Sequence, residues 1–153
     1  MTNNKSAWKA EVEIDEVEPL CFPNGMIGFP EAKKYIVLNS GGGDIVCFQS
    51  MEQPEASFLM TPWDESRLGP APALTADQKA SLEYSDTHNI LWLLVLNPFA
   101  DQEWVLANML APVALNQDSG RGMQCIQADP RLELRYHWMP QPSSQEARKA
   151  EAA

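Results

Sequence analysis

Short apolar runs separated by turn-forming residues dominate the hydrophobic pattern of this chain. The segments Trp8 to Ile14 and Arg131 to Trp138 alternate between apolar and polar side chains, and a period of two is typical of a strand with one solvated face. The segment 90–96 is continuously apolar and is followed by Asn97. Such a run favours a strand buried on both faces, although Leu-rich sequence also permits a helical turn there.

The remaining apolar runs predict further strands, and one polar motif predicts a helix. Thr75 and Gln78 have the spacing of a capping box, which indicates one short helix near 75–82. Pro112 interrupts an apolar stretch and marks an edge or bulge position. About nine short strands with one helix predict a mostly β fold, an antiparallel barrel or sandwich. The further strands are expected at 17–22, 35–38, 45–48, 57–61, 102–109, 113–115 and 123–127.

Length and composition indicate one domain with polar ends. A chain of 153 residues with 44% hydrophobic residues is long enough to bury a core without disulfides or metal. Residues 1–7 are expected to be a flexible N-terminus and 8–138 the domain. Residues 139–153 are expected to be a disordered tail, since Pro140 and Pro142 argue against a strand, although its last part could form a marginal helix.

The formal net charge of -10 restricts the class of partner. Phosphates would repel such a chain, so we expect no direct nucleic-acid ligand. A basic protein is a more plausible partner, although acidic surfaces also serve solubility alone. Glu11, Glu13 and Glu16 lie in the most acidic stretch. The chain shows no apolar run long enough to span a bilayer and no signal peptide, so we expect no membrane contact and a cytoplasmic location.

Catalytic and metal-binding patterns are absent from the sequence. Cys21, Cys47 and Cys125 are widely separated, and reduced core thiols are the expected state of all three. His88 lies in a polar segment and His137 on the polar face of a predicted strand, and neither can be paired with a cysteine. No local pair has metal-ligand spacing. We therefore expect no cofactor, no local metal site and no Cys–His catalysis, although scattered carboxylates could still converge on calcium.

Two segments that mix apolar residues with Gly, Pro and Asn are more informative. In Leu20 to Pro30, Asn24 and its following Gly indicate a tight turn. In Ala107 to Asn116, two Asn side chains flank Pro112 and are placed to hydrogen-bond backbone that a bulge sets free. Both segments are typical of strands that enter shaped turns, which is a structural role.

The same segments resemble the flagellar assembly factor FliW family. The resemblance covers most of residues 10–138, and its motifs occur in the family's order. Phe22 to Pro30 is similar to a Phe-x-x-Gly-Ile/Leu-x-Gly-Phe segment, and Ala107 to Asn116 to Asn-Leu-x-Ala-Pro-Ile-x-x-Asn. Further matches are Tyr35 to Leu38, Phe48 to Ser50, Phe58 to Pro62, and Gly122 to Gln124 as a Gly-x-Gln element.

The resemblance implies a small antiparallel β-barrel without enzymatic activity and with two protein partners. One partner is flagellin, bound before export. The other is CsrA, a small dimeric RNA-binding regulator that represses flagellin translation. A FliW-like protein binds CsrA and prevents its action, and accumulating flagellin captures the factor and releases CsrA. Translation of flagellin thereby follows its export.

We predict a partner surface formed by the acidic stretch, the two turn segments and an exposed aromatic residue of a Pro-rich loop. Its candidate residues are Glu11, Glu13, Glu16, Asn24, Ile27, Phe29, Trp63, Asn108, Pro112 and Asn116. Two alternatives stay open. The first is a flagellin export chaperone that does not bind CsrA. The second is a small β-barrel ligand-binding protein or enzyme, with an internal pocket lined by Trp92 and Trp104.

Overall fold

Seven strands close into a barrel, and an eighth strand pairs with its outside. The computed structural model describes residues 18–39 and 44–141. The predicted strand at 8–14, the predicted N-terminus 1–7 and the tail from residue 142 lie outside the described residues. The strands are β1 (Leu20–Cys21), β2 (Lys34–Asn39), β3 (Val46–Ser50), β4 (Ser57–Pro62), β5 (Ile90–Asn97), β6 (Trp104–Asn116), β7 (Arg121–Gln124) and β8 (Tyr136–Pro140).

The strand order confirms a small, mostly antiparallel β-barrel. Around the barrel the order is β5-β4-β3-β2-β1-β7-β6, and pairing between β5 and β6 closes the ring. Only the short contact of β1 with β7, Cys21 opposite Arg121, is parallel among the described pairings. Closure leaves the seven strands with no open sheet edge. Strand β8 pairs with the first half of β6, outside the ring.

Strand β5 is buried on both faces, as its continuous apolar run predicts. Leu93 belongs to the aromatic core cluster with Phe22 and Phe48. Its neighbour Leu94 faces the other way and packs with Val105. Both leucines are fully buried. The helical alternative for this segment is therefore wrong, because the run supplies two opposite faces at a period of two.

The aromatic core is packed against one glycine. The Phe22 ring meets the Tyr35 ring at 5.2 Å between centroids and the Phe48 ring at 6.1 Å, both edge to face. A Cβ atom at Gly122 would lie 2.5 Å from Cζ of Phe22. Burial raises the pKa of Tyr35 to about 12, with the Glu52 charge adding to the effect. A larger residue at position 122 would collide with the Phe22 ring, so this position needs a glycine for space. The backbone conformation of Gly122 does not itself require one.

Strand β6 is one continuous strand where two were predicted. Leu93 of β5 pairs with Val113, but Val95 pairs with Asn108, so four residues of β6 face one residue of β5. This bulge includes Pro112, which confirms the predicted bulge position. A proline is tolerated there because the ladder needs no donor from it. The first half of β6 also pairs with β8 and the second half with β7.

The predicted strand from Arg131 to Trp138 is only partly correct. Strand β8 begins at Tyr136 and continues to Pro140, so the expectation that Pro140 excludes a strand is wrong. Arg131 is instead held to Asp129 by an ion pair of 2.8 Å. Proline is allowed at the end of an outer strand because its missing donor faces no partner. Strand β7 (Arg121–Gln124) also differs from its prediction, since it begins and ends earlier than the predicted 123–127.

Two short helices are present among the described residues, where one was predicted. Helix α2 (Ala76–Ser81) has the predicted capping box, with Thr75 and Gln78 each bonding the other's backbone amide. Helix α1 (Glu65–Leu68) lies in the Pro-rich loop that follows Trp63, where no helix was predicted. The Asp64 carboxylate accepts a hydrogen bond from the Ser66 amide and starts α1. A single N-cap of this kind is too common in sequence to predict a four-residue helix.

Helix α1 contacts β8 through the guanidinium group of Arg67, in addition to the pairing of β8 with β6. The Arg67 guanidinium lies 3.9 Å from the ring centroid of Trp138 and 5.6 Å from that of Tyr136. Its Nη2 donates to the backbone oxygens of His137 and Trp138. A planar cation that stacks on aromatic faces and also donates from its edge suits this position better than an ammonium group.

We predict that Gly122→Ala lowers the free energy of unfolding by about 1–3 kcal/mol, because the new methyl group overpacks the Phe22 ring. Urea denaturation monitored by circular dichroism measures the change. Gly120→Ala is the matched control, since a Cβ there meets nothing within 4 Å and only its φ of 76° opposes alanine. A Gly122 variant as stable as the wild-type chain would contradict the role of the Phe22 contact, and the Gly120 variant measures the cost of backbone strain without such a contact.

We also predict that Arg67→Ala destabilises the fold by about 1–2 kcal/mol, through loss of the cation–π contacts and of the hydrogen bonds to β8. Arg131→Ala should change stability less, because that guanidinium pairs with Asp129 in open solvent. Urea denaturation compares the two variants. Equal effects would contradict the account of how β8 is attached.

Candidate functional site

The segment 24–29, called here the Ile27 turn, is a tight two-residue hairpin. Met26 and Phe29 exchange two backbone hydrogen bonds, of 3.2 and 2.7 Å. Gly25 has a φ of 66°, and a Cβ there would lie 2.4 Å from the Phe29 oxygen. Met26 points into the core, whereas Ile27 at the tip is 57% exposed. The turn therefore presents one apolar side chain on a rigid support.

Residues 108–112 form the bulge of β6, called here the β6 bulge. The Asn108 side-chain oxygen accepts hydrogen bonds from the amides of Leu110 and Ala111, at 3.0 and 3.2 Å. These amides have left the ladder with β5, so the prediction that Asn108 satisfies backbone at the bulge is confirmed. Without this acceptor the amides would lose a protein partner at a half-buried position.

Gln124 joins the Ile27 turn to the β6 bulge. Its Oε1 accepts a hydrogen bond of 2.7 Å from the Ile27 amide. Its Nε2 donates one of 3.3 Å to the Ala111 oxygen. One side-chain amide thus connects the two segments that the sequence pattern singled out. The third matching element of the sequence, ending at Gln124, is the physical link between them.

Asn116 has a different structural role from Asn108. It is completely buried, and its oxygen accepts from the amides of Asp118 and Ser119 at 3.0 and 3.3 Å. Its Nδ2 donates to the Leu82 oxygen at 2.9 Å. The expectation that Asn116 bonds the bulge backbone is therefore wrong, because the residue shapes the turn after β6 instead.

A second exposed apolar residue, Ile126, lies two residues after the end of β7. Cys125 packs into the interior, against Leu82. Strand alternation therefore places Ile126 on the same side as Gln124, and the amides of residues 125 and 127 continue the pairing with the β6 bulge. Ile126 is 72% exposed. Ile126 is thus two positions from Gln124, whose side chain bonds the Ile27 amide, and we call Ile27 and Ile126 together the Ile27–Ile126 surface.

The other predicted site residues are placed as follows. Glu11, Glu13 and Glu16 lie outside the described residues. Asn24 is exposed, and Phe29 is half-buried with its ring edge to face with Phe58 at 5.7 Å. Pro112 and Asn116 are buried, so their side chains face the interior. A contact of any of these residues with a partner stays a prediction.

The Trp63 side chain is less exposed to solvent than predicted. Its side chain is half-buried, its Nε1 donates to the Gly69 oxygen at 2.8 Å, and it packs with Leu94 and Leu68. Phe99, which the sequence did not single out, is 91% exposed. Exposure of a loop aromatic depends on how the loop is folded back, and sequence composition carries no signal for that.

The cysteine and histidine side chains make contacts that stabilise the fold. All three cysteines are free, and burial raises the pKa of Cys125 to about 11, so that thiol is poorly reactive at neutral pH. His137 stacks on Trp104 at 4.9 Å, and His88 contacts the Asn116 amide. Among residues 18–39 and 44–141, no group of three potential ligands could hold a metal ion.

The pocket expected by the ligand-carrier alternative does not match the positions of its two tryptophans. Trp92 packs in the cluster that contains Leu82. Trp104 instead stacks on His137 of the outer strand β8. The two indoles thus belong to separate parts of the molecule and do not line one cavity.

The family model described as FliW protein matches residues 3–138, and this chain belongs to the FliW family. A crystal structure of the flagellar assembly factor FliW has the same fold, with a TM-score of 0.71, 21% identity, and coverage of 82% of this chain and 89% of that one.

Two relatives illustrate the similarity. The flagellar assembly factor FliW of Geobacter sulfurreducens is 26% identical over 138 residues, which are 90% of this chain and 86% of that protein. The flagellar assembly factor FliW 2 of Desulfotalea psychrophila is 29% identical over 118 residues, 75% of this chain and 76% of that one.

Within the described residues, neither helix has the length or hydrophobicity that crossing a membrane requires.

We predict that Gln124→Ala releases the Ile27 turn and lowers the free energy of unfolding by about 1–2 kcal/mol, through loss of two hydrogen bonds. Hydrogen exchange should show faster exchange at the Ile27 amide in particular. Gln127→Ala is the control, because its side chain donates only to the nearby Cys125 oxygen. Unchanged exchange at Ile27 in the Gln124 variant would contradict the proposed connection.

Proposed function

We propose that this chain is a non-enzymatic cytoplasmic regulator that binds and antagonises CsrA and also binds flagellin. Flagellin would compete for the factor and release CsrA, so that flagellin translation follows export. Membership of the FliW family supports this proposal, since the chain matches that family over residues 3–138 and its relatives are named flagellar assembly factors.

The observation that carries a binding function is the exposed Ile27 side chain on its hydrogen-bonded turn. The Ile27 amide is fixed by Gln124, and the neighbouring Met26 is anchored in the core. A side chain held in this way loses little conformational entropy when a partner covers it. Ile126 is a second exposed apolar side chain, and apolar side chains suit the desolvated centre of a protein–protein contact.

The charge of the chain supports a basic partner. At a net charge of -10, long-range attraction accelerates encounter with a cationic RNA-binding protein and disfavours the RNA itself. The candidate surface is therefore an apolar centre within a negatively charged protein. Affinity for CsrA is accordingly expected to fall as ionic strength rises.

The absence of catalysis is part of the same proposal. The two histidines are engaged with Trp104 and Asn116, and Cys125 is buried with a raised pKa. Among the described residues, the recorded hydrogen bonds of His88 and Cys125 do not join a histidine to a cysteine, the pairing that covalent catalysis by a thiol uses. The family's named role, assembly of flagella, also needs no chemical step.

The first experiment titrates the purified protein with CsrA from the same organism by calorimetry, alone and with flagellin present. We expect binding that flagellin abolishes. Ile27→Ser should weaken CsrA binding at least about tenfold, since burying a large aliphatic side chain contributes about 1.5–3 kcal/mol. Met51→Ser is the matched control, because Met51 is 55% exposed on the loop after β3.

Three results would revise the proposal. Folded protein that binds flagellin but gives no heat with CsrA would establish the export-chaperone alternative. Failure to bind either protein would overturn the proposed function. Full CsrA affinity in the Ile27 variant would retain the function but remove the Ile27–Ile126 surface from the contact.

A further inference from the structure

The loop between β5 and β6, residues 98–103, presents the most exposed large apolar side chain among the described residues. We call it the Phe99 loop. Phe99 is 91% exposed at its tip. Covering an exposed phenyl ring removes apolar surface from water, which is favourable. The loop lies at the opposite end of β6 from the turn that Asn116 shapes, so it is separate from that turn.

Hydrogen bonds from outside the loop fix its shape. Gln141, just after β8, donates through Nε2 to the oxygens of Pro98 and Asp101, and its amide donates to the Glu103 oxygen at 2.9 Å. Arg135 donates from Nη2 to the Ala100 oxygen at 3.2 Å. Four carbonyl groups of the loop are therefore bonded to the β8 region.

Two side chains within the hairpin complete this support. The Asn97 oxygen accepts from the Phe99 amide at 2.9 Å. The Asp101 carboxylate accepts from the amides of Glu103 and Trp104 at 2.7 and 3.0 Å. The Glu103 amide is the main cause that lowers the pKa of Asp101, so this carboxylate is charged at neutral pH. The loop is thus rigid and carries an apolar tip beside fixed negative charge.

The charge identifies the kind of partner that fits. Asp101 and Glu103 belong to the loop, and Arg135 offsets one of their charges. A second copy of this chain, a nucleic acid or an anionic membrane would each be repelled by a protein of net charge -10. A basic protein with an apolar pocket for the phenyl ring is complementary in both respects.

We infer that the Phe99 loop is a second docking point, at which Phe99 inserts into an apolar pocket of a cationic protein partner. The inference rests on the proposed function for its probe, which is CsrA. It goes beyond that function in adding a contact that neither the Ile27–Ile126 surface nor the acidic stretch supplies. A loop that is already ordered binds without the entropic cost of folding on contact.

The test compares CsrA binding by the full chain and by Phe99 variants in calorimetry at two ionic strengths. Phe99→Ser should weaken CsrA binding at least about tenfold, as expected for removal of an aromatic anchor. Phe99→Trp should retain most of the affinity if the pocket accepts an aromatic ring. Met51→Ser is the control for loss of an exposed apolar side chain, and urea denaturation verifies that each variant is folded.

The possible outcomes separate this inference from the proposed function. A large loss for the Phe99→Ser variant, with no loss for the Met51 variant, supports the docking point. Wild-type affinity in Phe99→Ser overturns the docking point and leaves the proposed function intact. If the wild-type chain itself does not bind CsrA, the proposed function and this inference fail together. If flagellin binding alone depends on Phe99, the assignment to a cationic partner is wrong.

Discussion

The hydrogen bonds of the Gln124 side chain are the interaction on which the candidate surface depends. Its side-chain amide accepts from the Ile27 backbone and donates to the Ala111 backbone, so a turn near the start of the described chain is fixed to the bulge of β6, more than 80 residues later. Neither Ile27 nor Ala111 has a ladder partner of its own in the described pairings. A side chain with both a donor and an acceptor satisfies the two at once.

The barrel explains why such a link is needed. Strand β6 pairs with β8 along its first half and with β7 along its second half, and the bulge lies between these regions. Asn108 satisfies the amides that the bulge frees, while Gly122 admits the Phe22 ring that anchors the start of the Ile27 turn. The exposed isoleucines thus rest on a framework of buried or hydrogen-bonded groups, and their positions follow from the core.

Features encoded by adjacent residues could be predicted from the sequence. The capping box of α2 needs only Thr75 and Gln78, and the apolar run of β5 needs only its own composition. The mostly β fold, the bulge at Pro112 and the role of Asn108 follow from similarly local patterns. The resemblance of the two turn segments to the FliW family added the barrel, and the fold confirms it.

Features that depend on distant partners could not be predicted. The alternation of apolar and polar residues from Arg131 onward predicted a strand there. Strand β8 forms only where the guanidinium of Arg67 and the edge of β6 stabilise it. The Gln124 bonds, the burial of Trp63 and the exposure of Phe99 each depend on a segment far away in sequence. No local composition encodes such contacts, because the same residues in another fold would have other neighbours.

The most direct test of the central claim is a double-mutant cycle on CsrA affinity with Ile27→Ser and Gln124→Ala. If Gln124 holds Ile27 in its binding position, Gln124→Ala alone weakens binding, and Ile27→Ser then adds much less than it does in the wild-type chain. Coupling of at least about 0.5 kcal/mol would be expected for two residues joined by a hydrogen bond. Additive effects, or full affinity in the Gln124 variant, would contradict the claim that this bridge positions the binding surface.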